Sequence, residues 1–335
     1  MDRDSITPAV LALDCAAEAE KIAVALKKSL AMLLKKRGVV LGLSGGVDSS
    51  VCAALCVRAL GPGKVFAVLM PERESGREGL EVARQVARQL GIEYALEDLT
   101  PALEGLGCYR WRDRAMQQVF PDYTPDWKSK IVIANSGNGG YNYFKLVVQS
   151  PDGQRHEQRL ALQHYLHIVA ATNYKQRVRK AVEYFHADRL NYAVVGTPNR
   201  LEYDQGFFVK NGDGAADIKP IAHLYKSQVY ALANHLGLPE AVCNAVPSTD
   251  TYSLRQGQDE FYFALGYRDM DLALWCFNHQ QPAGRLAQAL GISERDAEAV
   301  YRDIVHKRNA TAYLHCPPLL VEAVEGPVRL PDRQG

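Results

Sequence analysis

The sequence predicts an α/β fold: a three-layer, doubly wound parallel sheet with helices on both faces, followed by a mainly helical C-terminal part. Two patterns lead to this prediction. Short apolar segments of strand length alternate with amphipathic segments of helical length along the first two thirds of the chain. Strands that alternate with helices pair in parallel, and parallel sheets are covered on both faces. From Ser227 onwards, the pattern is mainly helical.

The predicted elements follow one another in a regular order. A long amphipathic helix is predicted over 16–36, because apolar residues recur on one of its sides, and Gly38 is expected to end it. The strands of the sheet are predicted at 39–43, 64–70, 92–96 and 192–195. The helices that alternate with them are predicted at 49–60, 79–90 and 174–187.

Charge and cysteine pattern narrow the classes of function. The chain has 335 residues, of which 47% are hydrophobic, and a formal net charge of +1. No overall basic field favours nucleic-acid binding, so charged ligands would have to be recognised locally. The seven cysteines form no CxxC pair, which favours ordinary buried thiols over a zinc site. Without a signal-peptide pattern or a run of about 18 apolar residues, we expect a cytoplasmic protein with no membrane span.

The strongest motif lies between the first predicted strand and its helix. Two glycines allow backbone N–H groups to approach an anion closely, and three serine hydroxyls and the positive end of the helix dipole add to the attraction. The motif matches neither the Walker loop nor GxGxxG. It predicts a pyrophosphate-binding loop made of Leu43, Ser44, Gly45, Gly46, Val47, Asp48, Ser49 and Ser50.

Asp48 is the acidic residue of this loop, where a carboxylate would repel phosphate. A divalent cation between the two groups would remove the repulsion, so we assign Asp48 to Mg²⁺. The structural alternative is that Asp48 or Ser49 only caps the following helix. Capping does not account for two glycines and three hydroxyls around one carboxylate, so we favour the functional interpretation.

The motif SGGVDSS resembles the signature of the N-type ATP pyrophosphatases, which have an adenine nucleotide alpha hydrolase-like fold. Members of that superfamily cleave ATP between the α and β phosphates and adenylylate an oxygen of their substrate. Three further segments resemble the ammonia-dependent NAD synthetases in particular. They are NYKQRVR at 173–179, GTPNRLE at 196–202 and FFVKNGDGAADIKP at 207–220. The resemblance extends over about 15–100 and 172–310, in the order of the family.

The resemblance implies roles for individual residues. Asp48 and Glu202 would hold Mg²⁺, and Asp48, Lys210 and Lys307 would be catalytic, the lysines by stabilising phosphate charge. Residues implied in ATP binding beyond the loop are Met70, Arg177, Thr197, Lys210 and Ser248. Residues implied in substrate binding are Asn173, Arg177, Arg179, Asp213, Asp217, His306 and Lys307.

Structural alternatives remain open for several of these residues. Glu202 could be an exposed residue in the first turn of a helix. Arg177 and Arg179 could form a solvated basic helix face, and the charged loop of Lys210 could simply be solvated. His306 is equally well explained as a residue on the surface of a helix.

The reaction implied by the resemblance has two steps. A nicotinate carboxylate of deamido-NAD attacks the α phosphate of ATP and releases pyrophosphate, and ammonia then displaces AMP to leave the carboxamide. Nicotinate mononucleotide or another acid is an alternative substrate. A tRNA-modifying ATP pyrophosphatase and a non-catalytic nucleotide sensor are alternatives from other classes. Free ammonia is the expected nitrogen source, a separate glutaminase partner is left open, and family members are commonly homodimers.

We predict one domain over 1–320 and a loosely held tail over 321–335. Within the domain, the region at about 105–171 is longer than in the family and is predicted to be an insertion. It contains a predicted hairpin of strands at 143–149 and 155–160. It could reshape the pocket, form a lid or enlarge a dimer interface. Its aromatic residues could stack on a ligand ring, but we favour a small core of their own for Trp127, Tyr141, Tyr143 and Phe144.

Overall fold

The computed structural model describes residues 6–135, 142–247, 251–263 and 265–322. Its strands, in chain order, are β1 (Val39–Gly42), β2 (Val65–Leu69), β3 (Glu93–Leu96), β4 (Lys128–Asn135), β5 (Asn142–Gln149), β6 (Arg155–Arg159) and β7 (Ala193–Val194). Its α-helices are α1 (Cys15–Lys28), α2 (Val47–Leu60), α3 (Arg77–Leu90), α4 (Thr100–Gly105), α5 (Cys108–Gln117), α6 (Leu162–Leu190), α7 (Arg200–Gln205), α8 (Lys226–His235), α9 (Glu240–Cys243), α10 (Tyr267–Asn278), α11 (Ala283–Leu290) and α12 (Glu294–Thr311).

The first sheet consists of the four strands predicted from the sequence. All its pairings are parallel, and the order is β3-β2-β1-β7. Each strand begins and ends within one residue of its predicted position. Because β1 and β7 are parallel neighbours, the loops that follow them leave the sheet side by side at the same edge.

Side chains of β1 and β2 point alternately to two helical layers. Val39 and Leu41 face the largest core, which they share with α1, α2, α3 and α8. Val40 and Val68 face the other side of the sheet and contact α6. The sheet is therefore covered on both faces, which confirms the predicted three-layer α/β fold.

The first helix is shorter than predicted. Helix α1 ends at Lys28 and continues as a π-helical segment, Ser29–Leu34. The segment ends at Lys35, whose φ of 51° is in the left-handed region, so Gly38 does not end it. A left-handed residue other than glycine leaves no clear signal in the sequence, which explains the error.

The second sheet lies within the predicted insertion and is antiparallel, with the order β4-β5-β6. The hairpin of β5 and β6 confirms the prediction, whereas β4 was not foreseen. One face of the sheet packs with α5, α6 and Tyr252 in a separate core. Trp127 and Phe144 pack against that core, as the structural interpretation predicts, but Phe144 also lines the large cavity described below. Tyr141 lies outside the described residues.

The remainder of the described chain is helical, as predicted. Helices α8 to α12 follow β7 without a further strand among the described residues. In the part of the chain that the structure describes, no helix is long and apolar enough to cross a membrane. The predicted tail lies outside the described residues from position 323 onwards.

Candidate active site

A large cavity opens where β1 and β7 end. Its volume is about 1020 Å³, and its wall includes the pyrophosphate-binding loop, the middle of α6 and the segment around 251–262. Twelve of the residues predicted for the site line it. They are Ser44, Gly45, Gly46, Val47, Asp48, Ser49, Asn173, Arg177, Thr197, Glu202, Lys210 and Asp213.

Serine hydroxyls hold the pyrophosphate-binding loop in shape. Ser49 Oγ accepts a hydrogen bond from Ser44 N at 3.3 Å and donates one to Gly46 O at 3.1 Å. Ser50 Oγ, which is buried, donates to the same carbonyl at 2.8 Å. The loop also requires glycine at position 45, where φ is 86° and an added Cβ would lie 2.4 Å from Gly79 O. The hydroxyls therefore fix the loop before any ligand binds.

Helix α2 begins at this loop without a side-chain cap. Gly46 is the N-cap residue and makes no side-chain capping bond. Asp48 is in the first turn, but its carboxylate faces other side chains rather than the helix terminus. The capping interpretation of Asp48 is therefore wrong. The uncapped N–H groups and the dipole of α2 are available to an anion.

Asp48 lies in a network with two residues from distant parts of the chain. Its Oδ1 accepts a hydrogen bond from Asn199 Nδ2 at 3.1 Å, and its Oδ2 forms an ion pair with Lys226 Nζ. Asn199 is fully buried, and the Lys226 side chain is nearly so. Lys226 begins α8, where Asp271 accepts hydrogen bonds from the backbone N–H groups of Lys226 and Ser227.

Glu202 is the second carboxylate of this network. Asn199 N donates to Glu202 Oε2 at 3.1 Å in a capping box of α7, and Gln258 Nε2 donates to Glu202 Oε1 at 2.8 Å. Burial, and then the negative charge of Asp48, raise the pKa of Glu202 to about 7. Burial lowers the pKa of Lys226, but Asp48 and Glu202 outweigh that effect and hold it above its ordinary value.

A buried ion cluster supports the wall of the cavity. Lys175 Nζ, which is fully buried, lies 3.0 Å from Glu72 Oε1 and 2.5 Å from Glu74 Oε2. Arg112 forms a second ion pair with Glu74, and Tyr109 donates to Glu72 Oε2 at 2.6 Å. Burial opposes ionisation of Glu74, but Lys175 and Arg112 lower its pKa overall. The cluster joins α6 to the loop after β2 and to α5.

Arg177 and Lys210 approach each other at the opposite wall. Arg177 Nε donates to Lys210 O at 3.4 Å. Lys210 Nζ donates to Tyr313 O at 2.7 Å and to Cys316 O at 3.2 Å, so its ammonium group contacts the segment that follows α12. Asp213 Oδ1 accepts from Val209 N at 2.8 Å and stabilises the turn of this loop.

Other predicted residues have different surroundings. Leu43 is buried in the main core, and Met70 packs against the clusters beneath the sheet. Asp217 accepts a hydrogen bond from Val194 N at 2.7 Å, and Lys307 Nζ pairs with Asp303 at 2.5 Å. Arg179 is half-buried on α6 and His306 is exposed on α12. Ser248 lies outside the described residues. The roles of Leu43, Met70, Arg179, Asp217, Ser248, His306 and Lys307 stay predictions, as do the roles of the predicted residues that line the cavity.

Sequence reasoning missed the partners of the two carboxylates. Lys226 is 178 positions from Asp48, and Gln258 is 56 positions from Glu202. A lysine at the start of a helix and a glutamine directly before a short π-helical segment carry no signal of their own. Lys175 lies within the segment at 173–179 that was singled out, but its complete burial depends on partners from other elements.

Most of the chain matches one protein family. The family profile described as NAD synthase matches residues 18–117 and 144–311. The chain belongs to the NAD synthase family. The interruption of the match at 118–143 falls inside the predicted insertion, whose boundaries stay a prediction.

Two relatives that are more than half identical to this chain are named NH(3)-dependent NAD(+) synthetase. The chain is 56% identical over 316 residues to an NH(3)-dependent NAD(+) synthetase of Rhizobium meliloti, covering 94% of each chain. It is 54% identical over 312 residues to the protein of that name in Mesorhizobium japonicum, covering 93% of this chain and 98% of the relative.

Solved structures of the family share the fold. An NH3-dependent NAD synthetase from Campylobacter jejuni is 24% identical, with a TM-score of 0.61 over 92% of this chain and 100% of that one. An NMN synthetase from Francisella tularensis is 23% identical, with a TM-score of 0.63 over 92% and 99%. At these identities the similarity concerns the fold alone, so it does not decide between the two activities that these names state.

Proposed function

We propose that this member of the NAD synthase family converts deamido-NAD to NAD with ammonia and ATP, as a ligase that forms a carbon–nitrogen bond. The reaction proceeds through an adenylylated nicotinate carboxylate and releases pyrophosphate and AMP. One observation carries the proposal: a loop with an uncapped helix terminus lies beside the paired carboxylates of Asp48 and Glu202 in one cavity. The names of relatives at 54–56% identity support the choice of substrate and nitrogen source.

The phosphate end of ATP is bound by the loop of residues 44–50. The N–H groups at the start of α2 and the hydroxyl of Ser44 face this part of the cavity and bind the phosphates that leave as pyrophosphate, while the Ser49 hydroxyl holds the loop through Gly46 O. The loop is already held in shape by its own hydrogen bonds, so little reorganisation is needed when ATP binds. The α phosphate is then presented to the incoming carboxylate.

Mg²⁺ fits the donor set formed by Asp48 and Glu202. Asn199 bridges the two carboxylates, which brings their oxygens together on one side of the cavity. Among the described residues no cluster of three or more His, Cys, Asp or Glu could hold a metal, so phosphate oxygens and water would complete the shell. When bound, Mg²⁺ would neutralise phosphate charge and polarise the phosphoryl oxygens. The ammonium group of Lys226 offsets part of the negative charge of the two carboxylates.

Asn173, Arg177 and Lys210 would bind the acid substrate and stabilise the developing negative charge. They lie on the wall of the cavity formed by α6 and the loop after Phe208. Their neutral and cationic donors suit a carboxylate and the phosphates of a dinucleotide. No nucleophilic side chain is required, because the carboxylate of the substrate itself attacks ATP. Orientation and electrostatic stabilisation account for the chemistry.

Three features of the enzyme in the cell belong to the same proposal. We infer a homodimer, supported by exposed apolar side chains near the edge strand β3, where Leu96 is 48% and Phe185 62% exposed. We infer a cytoplasmic location, supported by seven free cysteines. Free ammonia is the proposed nitrogen source. Light scattering after size exclusion tests the first inference, since a monomer at micromolar concentration would contradict it.

The reaction is tested by incubating the protein with ATP, Mg²⁺, ammonium and one candidate acid at a time. We expect NAD, AMP and pyrophosphate with deamido-NAD, and much slower turnover with nicotinate mononucleotide. Formation of ADP and phosphate would exclude the proposed chemistry, and turnover driven by the mononucleotide would replace the proposed substrate. Equal rates with glutamine instead of ammonium would contradict the direct use of ammonia.

A further inference from the structure

The segment at 251–258 passes between the second sheet and α6 before it reaches Glu202. At its start, Lys175 Nζ donates to Thr251 O at 3.0 Å, and Gln176 Nε2 contacts Thr251 Oγ1 at 3.4 Å. Tyr252 is buried in the core of the second sheet. The two hydrogen bonds to Thr251 and the burial of Tyr252 hold the beginning of the segment against α6.

Strand β4 holds the middle of the same segment along its free edge. Ser129 N donates to Ser253 Oγ at 2.8 Å, and Leu254 N donates to Ser129 O at 3.1 Å. Gln256 Nε2, in a fully buried side chain, donates to Ile131 O. Because β5 occupies the other edge of β4, these contacts use the edge that would otherwise be unpaired.

The end of the segment reaches the proposed catalytic carboxylates. Gln258 lines the cavity, and its Nε2 donates to Glu202 Oε1 at 2.8 Å. The other oxygen of Glu202 accepts from Asn199 N, so each oxygen of this carboxylate has a donor from a different part of the chain. Without the Gln258 side chain, only the hydrogen bond from Asn199 N would fix the orientation of the Glu202 carboxylate.

We propose that Gln258 is a positioning residue for Glu202 and that the second sheet is the platform that places it. The inference rests on the proposed function, because it concerns the carboxylate assigned to Mg²⁺. It gives the insertion a role in the active site: β4 fixes the segment at 251–256, and the segment in turn presents Gln258. Groups that orient a metal-binding carboxylate alter metal affinity and rate rather than the fold.

The direct test is Gln258→Leu, which keeps the approximate size of the side chain and removes the donor. We expect kcat to fall ~10–100-fold and the Mg²⁺ concentration for half-maximal rate to rise ~10-fold, with little change in KM for the acid. The matched control is Gln89→Leu, which removes a side-chain amide bond to Gly237 O outside the cavity. A wild-type kcat and Mg²⁺ dependence in Gln258→Leu would overturn the proposal.

A second readout does not depend on turnover. The rise in melting temperature caused by an ATP analogue with a non-hydrolysable α–β bridge is measured at increasing Mg²⁺. We expect Gln258→Leu to shift this dependence ~10-fold towards higher Mg²⁺. If the wild-type enzyme forms no NAD, the proposed function fails, while this binding curve still tests Gln258. An unchanged curve would count against Gln258 alone.

The platform is tested with Ser253→Ala, which removes the acceptor of Ser129 N–H. We expect the same direction of change as in Gln258→Leu, at ~3-fold in kcat and Mg²⁺ dependence, because Leu254 N keeps its bond to β4. The matched control is Ser150→Ala in the turn between β5 and β6, where the hydroxyl contacts Gln154 O. Equal effects of the two serine variants would show that the contact between Ser253 and β4 does not help to position Gln258.

Discussion

The two sheets contribute to the proposed active site in different ways. In the parallel sheet every residue of β2 is buried, and the site lies in the loops beyond the ends of β1 and β7. In the antiparallel sheet every residue of β6 is exposed, and the contribution comes from the free edge of β4. We propose that residues at the ends of the parallel strands contact ligand, whereas the antiparallel sheet acts mainly through an adjacent segment. We therefore expect changes in the first region to affect chemistry and folding more strongly.

Asp48→Asn should have the largest effect. It removes the carboxylate assigned to Mg²⁺ while keeping the shape of the side chain, so pyrophosphate release should fall by ~10³-fold or more. The melting temperature should change by only a few degrees. Pyrophosphate release is followed with a coupled assay, using Asp269→Asn on the exposed side of α10 as control. Appreciable activity in Asp48→Asn would remove this residue from the mechanism.

Gly45→Ala should affect both folding and ATP binding. An alanine there would have to adopt φ near 86° and place its Cβ 2.4 Å from Gly79 O. We expect a loss of about 2 kcal/mol in the free energy of unfolding and a KM for ATP raised ~10-fold or more. Gly63→Ala is the control, because nothing lies within 4 Å of its Cβ and its φ is not in the left-handed region. Similar melting temperatures for the two variants would contradict the requirement for glycine at position 45.

The carboxylate of Glu202 should make stability depend on pH. Its pKa is raised from 4.5 to about 7 by burial and by Asp48, so the folded state binds a proton more tightly than the unfolded state. Its contribution is therefore fully present below about pH 4.5 and is lost as the pH rises towards 7. Glu202→Gln should remove this loss, worth on the order of 3 kcal/mol at pH 8 without Mg²⁺. If the melting temperatures of both proteins changed in parallel from pH 5 to 8, the raised pKa of Glu202 would be refuted.

Lys145→Ala should have the smallest effect. Lys145 pairs with Glu157 at 2.8 Å across the exposed face of β5 and β6, and pairs of this kind contribute little in water. We expect an unchanged melting temperature and unchanged kcat and KM. A loss of activity would mean that the outer face of the second sheet also has a part in the reaction, and the contrast between the two sheets would disappear.

The sequence predicted the features that depend on local pattern. The four parallel strands, the loop of residues 44–50 and the hairpin of β5 and β6 each follow from the periodicity, glycines and turn residues of one continuous segment. The same holds for Glu202, which its segment placed after a strand end. These features needed no knowledge of distant partners.

The features that were missed depend on contacts between distant segments. Strand β4 has no sharp boundary in the sequence, and its pairing is stabilised by the core that it shares with α6 and Tyr252. Lys226 and Gln258 contact Asp48 and Glu202 only because the fold brings α8 and the segment at 251–258 to the end of β7. The pattern of the sequence alone does not predict which carboxylate a single lysine or glutamine will contact.

Helix α6 sets a limit on how this molecule can move. It is 29 residues long and spans roughly 44 Å at 1.5 Å per residue. Ile168 near its start is buried in one core, Ala187 near its end in another, and Asn173 and Arg177 lie between them on the cavity wall. A single rigid rod thus keeps the two sheets at a constant separation. We therefore expect opening and closing around substrates to come from loops rather than from a change in the distance between the sheets.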